Sequence, residues 1–353
     1  MLAIGLMSGT ALDGVDAALI ETDGEYYFKR IANFHLFYPA EFQARLKLLI
    51  ETKSDWLELE HELTIYHINC VLALLDRERI PANQVAVIGF HGQTIYHNPA
   101  QGITWQIGNP HLLAQRTKIN VVSDFRRRDI ACAGQGAPLV PIFHQCLMQN
   151  EVKPVVVLNI GGVANITYIE ESVLLAFDTG PGNALINDAM LRYYNELYDE
   201  DGITAKNGVA QQQIVSSLLE DKFFAELPPK SLDRNYFSKN EQLFNHLDPA
   251  DIIATLTKFT VSSIVVGLKQ MPTVPEKIYV CGGGVHNSTI LSGLRAEIGD
   301  IVFNIKTLGL DADFIEAQAF AYLAVRNLKQ LPSTFPSTTA VNQETLSGVL
   351  FLV

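Results

Sequence analysis

The run Phe177-Asp178-Thr179-Gly180-Pro181-Gly182-Asn183 ends an apolar stretch on a carboxylate and follows it with two glycines and a proline. A carboxylate at a strand end beside a glycine loop is a common place for a general base, a group that typically contributes ~10²–10⁴ in rate. Asp178 is therefore the first candidate for chemistry; the alternative is a turn or cap residue. Gly180 and Asn183 of the same loop are candidates to touch a substrate. A second stretch, "GLMSGTALDGVD" over residues 5–16, gathers glycines with small hydroxyl residues. Its backbone N–H groups can hold a phosphate, or it can be a plain hairpin turn. Neither familiar nucleotide loop fits. A P-loop ends in Gly-Lys-Ser/Thr and opens a helix, and the dinucleotide fingerprint also opens a helix. Here there is no lysine, and a strand follows.

Three further sets carry polar chemistry. "GFHGQTIYH" puts His91 and Gln93 just after a strand, suited to sugar or phosphate recognition or simply to structure. "SDFRRRD" puts Asp124 and Arg127 after another strand. An arginine there can clamp a carboxylate through two parallel hydrogen bonds, or belong to a solvated surface. In "DADFIEAQAF", Asp313 as N-cap and Glu316 three residues on would form a capping box; Glu316 can instead point into a site.

The elements that must position these residues alternate between strands and helices. Residues 2–6, 15–22 and 26–38 read as strands, 39–51 and 56–77 as helices, and 84–92 as a buried strand. A helix over 109–117 opens with an Asn cap and Pro in its first turn, and 119–125 reads as a strand. The order then recurs: strand, Gly-Gly turn and strand over 154–170, strand, glycine loop and helix over 173–191, a helix over 249–269, strand, triple glycine and helix over 277–298, and a last helix over 313–328. Residues 198–247, polar and containing Pro, read as an insertion.

Length and composition bound the class. A chain of 353 residues, 48% apolar, suits two domains with two cores. A formal net charge of −12 argues against a nucleic-acid partner and against an anionic membrane surface. Cys70, Cys132, Cys146 and Cys281 are scattered without metal-site spacing, which makes zinc improbable and fits reduced cytoplasmic thiols. Neither a signal-like N-terminus nor a transmembrane span is expected.

The duplicated order is similar to the actin, hexokinase and heat-shock ATPase class. The implied fold is α/β, a two-domain actin-like ATPase (ribonuclease H-like) fold with a central nucleotide cleft. In this class the first hairpin of each domain grips ATP phosphates through backbone N–H groups. That implies ATP contacts from Gly9, Thr10, Ala11, Leu12, Asp13, Gly14, Val15 and Asp16 in the first hairpin. Gly161, Gly162 and Asn165 would act in the second. Gly282, Gly283, Gly284 and Asn287 of "CGGGVHN" would form an adenosine-side loop. Domain I is expected over residues 1–130 and domain II over 131–353, with room for the last helix or tail to pack back on domain I.

Taken in order, "GLMSGTALDGVDAALI", "GFHGQTIYH", "VVSDFRRRDIACAGQGAPLVP", "NIGGVANIT", "FDTGPGNALIND", "PPKS", "CGGGVHN" and "DADFIEAQAFAYLA" resemble the anhydro-N-acetylmuramic acid kinases over essentially the whole chain. The resemblance implies an ATP- and Mg²⁺-dependent cytoplasmic homodimer. It would open 1,6-anhydro-N-acetylmuramic acid with water and phosphorylate O6 during peptidoglycan recycling. Asp178 would be the base. His91, Gln93, Asp124, Arg127, Gly180, Asn183 and Glu316 would contact the amino sugar, with an arginine of residues 126–128 on its lactyl carboxylate. The chain departs from the family at Ala11, where Ser is usual, at "LDRN" (232–235), where a Thr-Gly-Arg-Glu type run is usual, and in its tail, which lacks a Thr-Gly-Ala. Two other readings stand beside it: an ordinary sugar kinase of the same fold, and an actin- or heat-shock-like ATPase.

Overall fold

Strands whose residues are buried on both faces read as continuous apolar runs, and the central strands here have that character. The computed structural model describes residues 1–9 and 11–353, apart from the side chain of Glu241. Thr10, expected in the first phosphate turn, lies outside the described residues. Among the described residues the strands, in chain order, are β1 (Leu2–Ser8), β2 (Gly14–Thr22), β3 (Phe28–Phe37), β4 (Val85–Asn98), β5 (Ile103–Ile107), β6 (Val121–Ser123), β7 (Val155–Ile160), β8 (Val163–Glu170), β9 (Val173–Pro181), β10 (Lys277–Cys281), β11 (Val302–Asn304) and β12 (Val349–Phe351).

The chain divides into two compact units, one of residues 1–149 and 314–353 and the other of residues 150–313. The first boundary falls at 149/150, not at the expected 130/131. The Pro141–Leu147 helix instead belongs with the first sheet, where Phe143 packs edge-on against Phe28 and tilted against Tyr322.

In the first unit the sheet runs β12-β6-β4-β1-β2-β3, with β5 paired to β4. β1, β2 and β3 are antiparallel neighbours, while β4 is parallel to β1 and β6 parallel to β4. The second unit repeats the pattern as β11-β10-β7-β8-β9, with β7, β8 and β9 antiparallel and β10 and β11 parallel to β7. A strand order of third-second-first-fourth-fifth, with those senses, occurs twice. This is the ribonuclease H-like topology of the actin-like ATPases, as the duplicated sequence pattern predicts. The first unit adds β12, which pairs antiparallel with β6.

Three local expectations need correction. β4 does not stop at Gly92 but runs to Asn98 and turns back as β5, a hairpin hidden by the polar residues between. The helix expected over 313–328 is Ile315–Leu328, capped at Phe314 without a side-chain bond, so Asp313 and Glu316 form no capping box, and a short helix (Pro336–Thr339) follows it. Asp313 instead pairs with His286 at 2.9 Å. The Pro249–Leu268 helix is long and apolar enough to cross a membrane, although no such span was expected; 67% of its apolar window is buried inside its own unit, as in a core helix.

The Ile315–Leu328 helix lies on β1, β2 and β4 with its main chain almost in contact with the sheet. A Cβ on Gly5 would run into the carbonyl of Ala317 and the amide of Ala321, and one on Gly89 into the carbonyl of Phe320. Only hydrogen fits at these two positions. The obstacle is backbone and cannot rotate aside, so Gly89→Ala should cost at least the ~1–3 kcal/mol typical of overpacking. Urea unfolding of wild type and variant checks this; an unchanged midpoint would contradict the close packing.

Candidate functional site

In the second unit three antiparallel strands and one parallel strand bring four residues into a single row. The register pairs Cys281 with Asn159, Asn159 with Asn165, and Asn165 with Asp178. Directly paired residues share a face, so the row Cys281, Asn159, Asn165, Asp178 crosses the sheet on one side. Cys281 Sγ approaches Asn159 Oδ1 at 3.8 Å. Between β8 and β9 the register slips: Ala164 faces Gly180 and Asn165 faces Asp178, leaving Thr179 as the extra residue. Bulges of this kind re-aim side chains next to active sites. Thr179 turns to the other face, against Gly267 of the Pro249–Leu268 helix.

Asp178 is 6% exposed. Its carboxylate Oδ2 accepts a hydrogen bond from Leu232 N at 2.7 Å, and its own amide donates to Lys230 O at 2.9 Å. A segment 54 residues downstream thus holds both the main chain and the side chain of Asp178. That segment belongs to the expected insertion, which here forms short helices (Ile203–Asn207, Gln212–Leu219, Lys222–Ala225) and returns to the sheet. Leu232 opens the "LDRN" run where the sequence departs from its family. The bond to Asp178 uses a main-chain amide, so the departure leaves it intact.

The glycine loop after Asp178 is tied to the turn between β7 and β8. Gly182 N donates to Gly162 O at 2.9 Å and Asn183 N to Gly161 O at 2.8 Å; Asn183 Nδ2 reaches Ile160 O at 3.1 Å. A Cβ on Gly182 would strike Gly161 O, so the two turns meet through glycine alone. Thr260 Oγ1 fixes Gly182 O from behind at 2.8 Å, and Ser263 leaves no room for a side chain at Gly180. The third glycine run opens at Gly282, whose amide donates to Ala312 O at 3.3 Å. Asn287 caps the Ser288–Ile298 helix, accepting from Ile290 N at 3.0 Å, and is 6% exposed. Gly283 is exposed, with little around it.

In the first unit the segment between β1 and β2 carries Gly9, Ala11, Leu12 and Asp13. Gly9 has open space where a side chain would be. Ser8 Oγ donates to Gln93 Oε1 at 2.6 Å and lies 3.0 Å from Tyr38 Oη, while Gln93 Nε2 reaches Gly9 O at 3.3 Å. Gln93, an expected sugar contact, is 1% exposed and holds the Ser8-Gly9 corner in place. Gly14 packs under the His35 ring, and Val15 is a fully buried core residue. Asp16 accepts from His35 Nδ1 at 2.6 Å, and that bond raises the pKa of the histidine.

His91 is 4% exposed. Its Nδ1 faces Gly92 O at 2.8 Å, and its Nε2 accepts from Arg126 Nε at 2.9 Å; Arg126 also donates to Gly136 O at 2.7 Å. Burial first, and then the Arg126 charge, push the pKa of His91 far down. The ring is a neutral Nδ1–H tautomer and cannot serve as an acid near pH 7. Asp124 and Arg127 lie 3.6 Å apart, with Arg127 well exposed. Of the three consecutive arginines, Arg126 is the one built into the structure. Glu316 stands half-buried in the first turn of the Ile315–Leu328 helix. Asn159 and Tyr38 carry no signal in the sequence, and Lys230 of "PPKS" and Leu232 of "LDRN" carry none for a role. Only strand register and the return of the insertion bring them in.

The duplicated fold is that of the actin-like ATPases. The sequence profile of the anhydro-N-acetylmuramic acid kinase family matches residues 1–353. A Zymomonas mobilis protein named anhydro-N-acetylmuramic acid kinase is 44% identical over 363 residues, covering 99% of both chains. One of that name from Rhizorhabdus wittichii is 42% identical over 360 residues, covering 99% of this chain and 98% of its own. The chain belongs to the anhydro-N-acetylmuramic acid kinase family, and it is an ATP-dependent kinase of the sugar-kinase class. Among solved structures it is similar to the activator of a Clostridium difficile 2-hydroxyisocaproyl-CoA dehydratase (TM-score 0.48, 12% identity, covering 94% of this chain and 96% of that one). It is also similar to a Streptomyces griseus ROK family glucokinase (TM-score 0.40, 13% identity, covering 92% and 99%).

Three further histidines of the first unit, buried His67 and His144 and half-buried His97, share the behaviour of His91. Burial pulls His67 and His97 to about 4 and His144 to about 3. In the unfolded chain they titrate near the ordinary value of ~6.5, so between that pH and about 4 the unfolded state binds more protons. Stability is therefore fully present above about pH 6.5 and is lost as pH falls, by up to about 1.4 kcal/mol per pH unit per histidine. Urea midpoints at pH 7 and pH 5 should differ accordingly; equal midpoints would show that these rings protonate in place.

Proposed function

We propose that the chain hydrolytically opens 1,6-anhydro-N-acetylmuramic acid and phosphorylates its O6, giving N-acetylmuramic acid 6-phosphate for peptidoglycan recycling. The observation that carries this reading is the buried Asp178 carboxylate, held from behind by Leu232 N at the end of β9 and beside a glycine turn. A kinase acting on a free hydroxyl would use such a carboxylate on the hydroxyl itself, so the source of the C1 oxygen separates the two. Asp178 takes a proton from water as the water oxygen attacks C1. The electron pair of the breaking C1–O6 bond goes to O6, which forms the new bond to the γ-phosphorus as the bond to ADP breaks. Phosphoryl transfer needs positioning and charge neutralisation more than covalent help.

In this reading the open backbone at Gly9 and the Gly161-Gly162 turn hold phosphates, and the Gly282–Gly284 run faces the adenosine. Among the described residues no three His, Cys, Asp or Glu side chains form a metal cluster. Mg²⁺ bound with ATP usually keeps its waters and takes only one or two carboxylates. Asp13, exposed beside the first turn, suits that role and would hold the ion that neutralises phosphate charge. Glu316 and Arg127 are proposed to contact the sugar, and the enzyme to act as a cytoplasmic homodimer.

Reaction in heavy-oxygen water tests the ring opening. One label should enter the sugar at C1 and none the transferred phosphoryl group. An unlabelled product with its anhydro ring closed would make this an ordinary sugar kinase, and label in free phosphate alone would make it an ATPase. Asp178→Asn should lower ring opening and phosphoryl transfer together by ~10²-fold or more, with ATP affinity nearly unchanged. If the ring still opens at a near-normal rate, Asp178 is not the base.

The first turn has its own test. Gly9→Val places a branched side chain in open space, so the fold is retained while the backbone is shielded from phosphate. Loss of one charge-assisted hydrogen bond, about 1.5–3 kcal/mol, predicts roughly tenfold or more weaker ATP binding by calorimetry. Unchanged affinity in the folded variant would return the stretch to a plain hairpin.

A further inference from the structure

Lys230 is 5% exposed, an unusual position for a lysine. Its ammonium donates to Phe223 O at 2.8 Å and to Glu226 O at 2.9 Å, at the end of the Lys222–Ala225 helix, and sits 4.5 Å from the centre of the Phe223 ring. A cation at a helix C-terminus adds a charged donor to carbonyls that the helix itself serves poorly. The main chain of the same residue does something else. Lys230 O accepts from Asp178 N, and two residues on Leu232 N donates to Asp178 Oδ2. The side chain of Lys230 is thus locked to one element while its backbone, with that of Leu232, carries the candidate base.

We infer that Lys230 is a positioning residue for the reaction: its buried ammonium anchors the 230–232 segment to the Lys222–Ala225 helix and so fixes where the Asp178 carboxylate points. The inference rests on the reading of Asp178 as the base. The ammonium does not touch the substrate; it acts through Leu232 N. Without it, Phe223 O keeps only the Glu226 amide at 3.3 Å and Glu226 O only Gln270 Nε2 at 3.1 Å, neither of which reaches the 230–232 segment; the segment gains freedom, and the carboxylate keeps its charge but not its aim. A misplacement of about 1 Å in a reacting group can cost ~10²-fold in rate. The charged groups facing the ammonium are the carboxylates of Glu226 and Asp178, which favour its protonated form, while burial, the larger influence, pulls it to about 8. The anchor is therefore present below that pH and weakens above it.

The test combines Lys230→Met, Lys230→Arg and Asp178→Asn, with kcat and the KM for ATP measured from pH 6 to 9.5 and amide exchange followed at Leu232. The expected result for Lys230→Met is a kcat lower by ~10-fold or more with KM for ATP within about twofold, and faster exchange at Leu232. Wild-type kcat should decline above about pH 8. That limb should vanish in Lys230→Met, and Lys230→Arg should restore rate and move the limb upward. Wild-type kcat in Lys230→Met, or a loss shared equally by kcat and ATP affinity with unchanged exchange at Leu232, would overturn the inference. If Lys230→Met does not fold, a wild-type profile with no decline above pH 8, or an Arg variant that keeps that decline in place, overturns it instead. Near-normal ring opening in Asp178→Asn would sink the base itself. Inactive Asp178→Asn beside fully active Lys230→Met would sink the role of Lys230 alone.

Discussion

The first unit depends on a gap just wide enough for hydrogen. Gly5 in β1 and Gly89 in β4 let the main chain of the Ile315–Leu328 helix rest on the sheet, and no other residue type leaves that space. Interiors are packed densely enough that one methyl group is felt. The separation of helix and sheet is set by the backbone itself rather than by side chains that can repack. β1 ends at Ser8, followed by Gly9, and Gln93 within β4 is joined to both by side-chain bonds. A shift of the helix would be transmitted to that corner. In the second unit Gly182 against Gly161 plays the equivalent part, tying the loop after Asp178 to the β7–β8 turn.

On this rigid base, polar groups near the turns are mostly engaged with one another. Gln93 holds Ser8 and Gly9, His91 holds Arg126, and Asn287 caps a helix. Such partners fix one another's orientation, and the two bonds to His91 limit its protonation state. His91 is held neutral from two sides. Under the proposed reading the proton is moved by Asp178, whose carboxylate is buried and accepts a bond from Leu232 N. Buried charge persists only where hydrogen bonds replace water.

Much of this is legible in the sequence because local signals and fold agree. The repeated order of strands, glycine turns and helices gives the duplicated topology, since apolar runs bounded by glycine leave few other arrangements. The place of Asp178, near a strand end before a glycine loop, is legible because an apolar run and the glycines that follow it mark that boundary. Lys230 and Leu232 are not, because their role is a contact over 54 residues made largely by backbone, which carries no residue-type signal. Gln93 and Arg126 are polar residues near glycine, but sequence spacing cannot tell a substrate contact from a strut. The β4–β5 hairpin is missed because His97 and Asn98 break the apolar pattern at the point where β4 turns back.

The first unit is interrupted: its chain leaves after residue 149 and returns only at residue 314. During synthesis the N-terminal sheet therefore emerges with the surface around Gly5 and Gly89 bare, while the whole second unit is still to be made. That surface stays exposed until the ribosome has delivered the Ile315–Leu328 helix, so it is open to aggregation or to a chaperone in the interval. The second unit, uninterrupted from 150 to 313, faces no such wait, and its sheet can close as soon as its own strands are available. The order of completion is the reverse of the order of translation: the half that starts first is finished last.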